Sequence, residues 1–158
     1  MRVGDDYYIA TSTFEWFPGI CIHHSKDLVN WEILSYALTD ETKFDIKGMD
    51  TACGIWAPNL TYDNGTFYLI YTIVYTNRHR FKDTHNFMVT ATDPQGPWSA
   101  PIPLNKMGFD PSLFHDPDGT KWLVNMLFWI TDLDHKRFWR RRCTAVRSKD
   151  PEAGRTDL

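Results

Sequence analysis

No stretch of this sequence approaches the roughly 18 consecutive apolar residues of a membrane-spanning helix. Met1-Arg2-Val3-Gly4-Asp5-Asp6 lacks the apolar stretch of a signal peptide. The expectation is a soluble, cytoplasmic protein without a membrane partner. Cysteine is scarce: Cys21, Cys53 and Cys143 are odd in number and form no Cys-x-x-Cys pair, so neither a disulfide framework nor a zinc site is indicated. A reducing compartment fits that usage. Excess charge is missing as well. A net charge of −3 provides no broad basic surface, which argues against nucleic acid and anionic lipid as partners. The 3.6-residue period of an amphipathic helix is almost absent, so the chain reads as all-β.

What the chain has in abundance is aromatic residues, 15% of the total, with seven Trp, seven Tyr and ten Phe. Such rings fill β cores, and they also suit the flat faces of sugars, so only position separates the two uses. At 158 residues there is room for one domain with a substantial core.

Self-similarity is the most informative pattern. Asp5-Asp6-Tyr7-Tyr8-Ile9-Ala10-Thr11-Ser12 is echoed by 64–72, Asn-Gly-Thr-Phe-Tyr-Leu-Ile-Tyr-Thr, and again by 118–126, Asp-Gly-Thr-Lys-Trp-Leu-Val-Asn-Met. Tyr8, Tyr68 and Trp122 align. The Asn-Gly and Asp-Gly pairs suit hairpin turns, and each leads into an apolar, aromatic strand. A second echo follows the strand, with Asp27 and Trp31 in the first copy and Asp93 and Trp98 in the second.

Spacings of 60 and 54 residues between the aligned rings fit four-stranded propeller blades with one long loop. A β-sandwich would place strands every 8–12 residues without this long-period echo. Two full repeats and the front half of a third give about two and a half blades, too few to close a ring. The pattern is expected to stop at His135, giving a partial β-propeller over 1–135 and a basic tail over 136–158 foreign to the fold. That tail holds eight of the 17 basic residues. A frameshift is the hypothesis for it. Uninterrupted genomic DNA, with no propeller-like sequence in another frame, would count against the idea. A nucleic-acid patch at Arg137–Arg142 is the weaker alternative, and would require binding that falls steeply with salt.

Gly108-Phe109-Asp110-Pro111-Ser112-Leu113-Phe114-His115-Asp116 is the most specific stretch. Asp110 precedes a proline at the head of an apolar strand, where its direction is restricted. In a propeller the innermost strands line the central cavity. The equivalent place in the preceding repeat is Ile55-Trp56-Ala57-Pro58-Asn59-Leu60, so a ring and a carboxylate are expected to face one pocket. His23-His24 and the histidines from His79 to His85 lack Asp, Glu or Cys at ligand spacing, and no metal site is expected.

These stretches resemble family 43 glycoside hydrolases, particularly their β-xylosidase branch. The resemblance runs from about Arg2 to Phe138. It is carried by Val3–Ala10, Ser12–Gly19, His24–Leu28, Gly54–Pro58 and Gly108–Asp116. It implies a five-bladed propeller that cleaves xylo- or arabino-oligosaccharides with inversion, using a general base, a general acid and an Asp that tunes the acid. No cofactor is implied. Asp110 matches the tuning Asp, whose charge would raise the acid's pKa. Phe14, Trp56 and Phe109 match the aromatic walls around the sugar. The family's base lies in a His-Pro-Asp-Pro-Ser or Asn-Pro-Asp-Pro-Ser motif just before Arg-x-Gly-Asp-Asp-Tyr-Tyr, and here Arg2–Tyr8 opens the sequence. The acid, a Glu in a Glu-Gly-Pro motif, belongs after the third blade. The chain alone is therefore expected to be inactive. A non-catalytic carbohydrate-binding propeller piece is the competing reading.

Overall fold

The computed structural model describes the backbone of residues 1–40, 44–77, 82–130 and 139–148, and side chains within these as far as Leu127. The described residues form twelve strands and no helix. These are β1 (Arg2–Val3), β2 (Asp6–Thr11), β3 (Gly19–Ser25), β4 (Glu32–Leu38), β5 (Gly54–Ile55), β6 (Asn59–Asp63), β7 (Thr66–Thr76), β8 (Asp83–Ala91), β9 (Ile102–Asn105), β10 (Phe109–His115), β11 (Lys121–Ile130) and β12 (Trp139–Ser148).

They make three antiparallel sheets in chain order: β1-β2-β3-β4, then β5-β7-β8-β9 with β6 also on β7, then β10-β11-β12. We call them blades 1, 2 and 3 of an incomplete five-bladed β-propeller. The aligned rings occupy matching places: Tyr8 lies on β2, Tyr68 on β7 and Trp122 on β11, each the strand after the innermost one. The tight turns form where the sequence calls for them. Asn64 and Gly65 both take positive φ, 47° and 79°, the geometry of a two-residue hairpin. Gly119 donates to the Asp116 carbonyl at 2.9 Å. Asp27 and Asp93 cap the turns between third and fourth strands. Asp27 Oδ1 accepts from the Asn30 and Val29 amides at 2.7 and 2.9 Å, and Asp93 Oδ1 accepts from the Gln95 amide at 2.8 Å.

Two apolar layers hold the blades together. Ile20, Ile22 and Leu38 of blade 1 pack with Leu69, Tyr71, Ile73 and Val89 of blade 2. Ile70 and Met88 of blade 2 pack with Leu113 and Leu123 of blade 3. The period-2 alternation of β7 therefore feeds both layers, with Leu69, Tyr71 and Ile73 on one face and Ile70 on the other. Burying each such side chain contributes about 1.5–3 kcal/mol.

The strand pattern does not stop at His135 as expected. Trp139–Ser148 runs antiparallel to β11, pairing from Ile130↔Trp139 to Lys121↔Ser148. Sheet pairing is made by backbone N–H and C=O groups, so a run of arginines does not prevent it, and charged side chains are common on edge strands. The remaining parts of the expected tail, 136–138 and 149–158, lie outside the described residues, as do the side chains of Arg137–Arg142 and Cys143.

Candidate active site

Two loops, 12–18 and 50–57, meet where the first and second blades adjoin. Phe14 forms an isolated bridge with Ile55, and its carbonyl accepts from the Ile55 amide at 2.9 Å. Ser12 Oγ donates to the Ile55 carbonyl at 2.5 Å and accepts from the Phe14 amide at 3.1 Å. Gly54 makes this approach possible. It has φ +82°, and a Cβ there would sit 2.3 Å from the Phe14 carbonyl oxygen, so any side chain would push the loops apart. Glu15 adds a further tie, its carboxylate accepting from the Ala52 amide at 3.2 Å.

Trp56 follows directly. Its backbone amide donates to the Thr72 carbonyl at 2.9 Å, and its indole Nε1 donates to the Ala52 carbonyl at 2.8 Å. Both ends of the residue are thereby fixed. The ring of Phe109 meets it nearly at right angles, with centroids 5.5 Å apart and planes at 84°, a favoured aromatic geometry. Lys82 Nζ lies 5.2 Å from the Trp56 ring centroid, a cation–π contact that occupies one face of the indole.

Asp110 follows Phe109 on β10. The register steps from Phe109↔Met126 to Ser112↔Val124, so Asp110 and Pro111 together oppose the single residue Asn125. This is a β-bulge, a device that re-aims a side chain. Asp110 adopts φ +50°, a left-handed conformation rather than the extended one favoured before proline. Its side chain reaches the surface, while partial desolvation raises its carboxyl above the ordinary value. Pro111 and Leu113 point inward.

The four residues singled out from the sequence thus fall into two contacting sets, Phe14 with the Trp56 loop, and Trp56 with Phe109 and its neighbour Asp110. Their exposures differ. Phe14 is 44% exposed, whereas Phe109 is 5% exposed and packs against the Trp56 ring. None of the four lines the cavity of about 440 Å³ bounded by Asp45, Lys47, Met49, Asp50 and Tyr75. Among the described residues no three His, Cys, Asp or Glu side chains converge as metal ligands. His23 and His24 belong to β3, and His24 is held by Asp6 and Glu32. His85 pairs with Asp83 at 3.0 Å, and His79 lies outside the described residues. Lys82, Glu15 and Asn125 escaped the sequence reading, because each is one ordinary polar residue whose partner is remote in the chain.

The family model described as "Glycosyl hydrolases family 43" matches residues 1–149. A xylosidase/arabinosidase 43B of Humicola insolens is 56% identical over 137 residues, covering 87% of this chain and 24% of that protein. A β-xylosidase of Bacillus subtilis strain 168 is 53% identical over 137 residues, covering 87% and 26%. Among solved structures, a xylan β-1,4-xylosidase from Bacillus halodurans C-125 superposes with a TM-score of 0.81 at 60% identity, covering 85% of this chain and 26% of that one. The chain spans about a quarter of the length of these relatives.

Proposed function

This chain belongs to glycosyl hydrolase family 43, and from that membership we propose that it supplies part of the sugar pocket of an enzyme cleaving xylo- or arabino-oligosaccharides with inversion. One observation carries the reading: a bulge lifts Asp110 out of β10 beside the braced Trp56–Phe109 pair. A carboxylate so placed suits the tuning of a neighbouring acid, because its charge disfavours ionisation of a second carboxyl group nearby. The relatives' names, xylosidase/arabinosidase and β-xylosidase, support the substrate class.

Hydrolysis is proposed for the whole protein. Inversion requires a general acid on the leaving oxygen and a general base on a water across the ring, with the carboxyl groups roughly 6.5–9.5 Å apart. Asp110 is the one carboxylate among the four site residues, and a tuning group transfers no proton. The isolated chain is accordingly inactive in this reading.

The test is hydrolysis of nitrophenyl β-xyloside and α-arabinofuranoside by the 158-residue chain, beside a version extended upstream and downstream. Only the extended protein should turn over, and Asp110→Asn in it should lower kcat about 10²-fold or more while shifting the alkaline limb of the pH profile to lower pH. Turnover by the short chain, lost on Asp110→Ala, would overturn the account.

A further inference from the structure

Beneath Asp110 lies a buried amide network that joins two blades. Asn86 on β8 is 1% exposed and Asn125 on β11 is 2% exposed. Asn86 Nδ2 donates to Asn105 Oδ1 at 2.7 Å and to the Met107 carbonyl at 2.9 Å, with a longer approach of 3.4 Å to the Gly108 carbonyl. Its Oδ1 accepts from Thr72 Oγ1 at 2.6 Å, and Thr72 is fully buried on β7. Asn125 Nδ2 donates to the Met107 carbonyl at 2.8 Å and to Asn105 Oδ1 at 3.2 Å.

The orientation of both amides follows from chemistry. A carbonyl only accepts, so whichever amide atom faces Met107 O must be the nitrogen. Two buried NH₂ groups from different blades therefore hold one carbonyl and one side-chain oxygen of the Asn105–Gly108 turn. Asn125 Oδ1 is buried without a hydrogen-bond partner among the described residues, an unfavourable arrangement. An apolar residue would avoid that cost, but would give up both donations to the turn.

We propose that Asn86 and Asn125 are positioning residues for Asp110, fixing the turn from which Phe109 and the Asp110 bulge emerge. Three further observations support this. Asn125 is the residue across the ladder from the bulge. Gly108 takes φ +69°, with a Cβ position only 2.6 Å from the Met126 carbonyl, so the turn is pressed against β11 with no slack. The left-handed backbone of Asp110 is a strained state for a residue with a side chain, and persists only where its surroundings over-determine it. The clamp supplies that constraint from both blades at once. The proposal rests on Asp110 serving the hydrolytic site, and adds the residues through which its place is set.

The experiment is an NMR titration of the full chain labelled with ¹³C at aspartate carboxyl carbons, comparing wild type with Asn86→Leu and Asn125→Leu. Thr72→Val frees the Asn86 amide while keeping a β-branched residue, and serves if the Leu variants fail to fold. Val89→Ala, in the other apolar layer, is the control for lost stability alone. Each network variant should move the Asp110 midpoint toward the ordinary carboxylate value by about half a pH unit or more, and Val89→Ala should leave it in place. If every foldable network variant lowers Tm with the Asp110 midpoint unmoved, the amides are structural only and the proposal fails. A midpoint that moves, together with an extended enzyme indifferent to Asp110→Asn, would uphold the clamp and remove the catalytic role assigned to Asp110.

Discussion

Among the described residues, blade 2 has a neighbour on each face and blade 1 has one. The same kind of strand consequently ends in two different states. On β7, Leu69, Ile70, Tyr71, Thr72, Ile73 and Val74 are all buried, whereas on blade 1 the cross-strand row Ile9–His23–Ile33 leaves Ile9 43% and Ile33 60% exposed. An isoleucine in this fold becomes core only through the sheet laid against it, and its own strand does not determine that. The polar clusters divide in a similar way. Within blade 1, both nitrogens of His24 face carboxylates, Asp6 at 2.6 Å and Glu32 at 3.1 Å. Carboxylates only accept, so both contacts are satisfied as hydrogen bonds when the ring is protonated on both nitrogens, and they raise its pKa. In the seam between blades 2 and 3, His115 Nδ1 lies 3.0 Å from Lys121 Nζ, with Thr61 Oγ1 2.9 Å from Nε2. An ammonium only donates, so the Lys121 contact favours a neutral ring with a bare Nδ1 and Nε2 donating to Thr61, against the weaker pull of Asp63 Oδ2, 3.6 Å from Nδ1. Lys121 in turn donates to Asp63 at 2.8 Å.

The largest effect should come from the doubly covered blade. Leu69→Ala leaves a cavity in the layer between blades 1 and 2 and should cost about 2–5 kcal/mol in a urea titration.

Next in size is the pH dependence, where the two histidines act with opposite sign. Burial first, and then the Lys121 charge, lower the His115 pKa. Its contribution is therefore present above the unfolded value of about 6.5 and is lost as pH falls below it. Hydrogen bonds to Asp6 and then Glu32 raise the His24 pKa, so its contribution is complete below about 6.5 and is lost as pH rises through the folded value. Thermal melts between about pH 5 and pH 8 should show His115→Asn flattening the acid-side fall and His24→Asn flattening the alkaline-side fall. Identical profiles for the two variants would mean that the tautomer assignments are wrong. The smallest effect belongs to the open face: Ile33→Ala should change stability by no more than about 0.5 kcal/mol. A cost matching that of Leu69→Ala would show the open face to be covered in solution.

Much of the fold was legible because it repeats. The alignment of Tyr8, Tyr68 and Trp122 identified three equivalent strands, and Asn64-Gly65 located a hairpin from two residues alone. The end of the third sheet was not legible, since Trp139–Ser148 pairs through its backbone while its arginines read as a solvated tail. For the site, the prolines of Ala57-Pro58 and Asp110-Pro111 marked the two inner strands, and Trp56 and Phe109 do meet. What pattern could not show was that Phe109 is nearly buried, or that Asn86, Asn105 and Asn125 converge. Those amides lie on three strands, about twenty residues apart, and only the register brings them to one turn.

The bulge at Asp110 also governs how the chain tolerates a change in length. Met126 and Leu123 are three residues apart on β11 and so point to opposite faces. Their partners Phe109 and Leu113 do the same, although four residues separate them. The odd residue reverses the parity of the strand. Deleting one position between Phe109 and Ser112 would give an unbroken ladder in which Phe109 still opposes Met126 and Leu113 still opposes Leu123, and the bulge that turns Asp110 out of β10 would be lost. The length of the strand, rather than the identity of any one side chain, thus decides whether β10 carries the bulge.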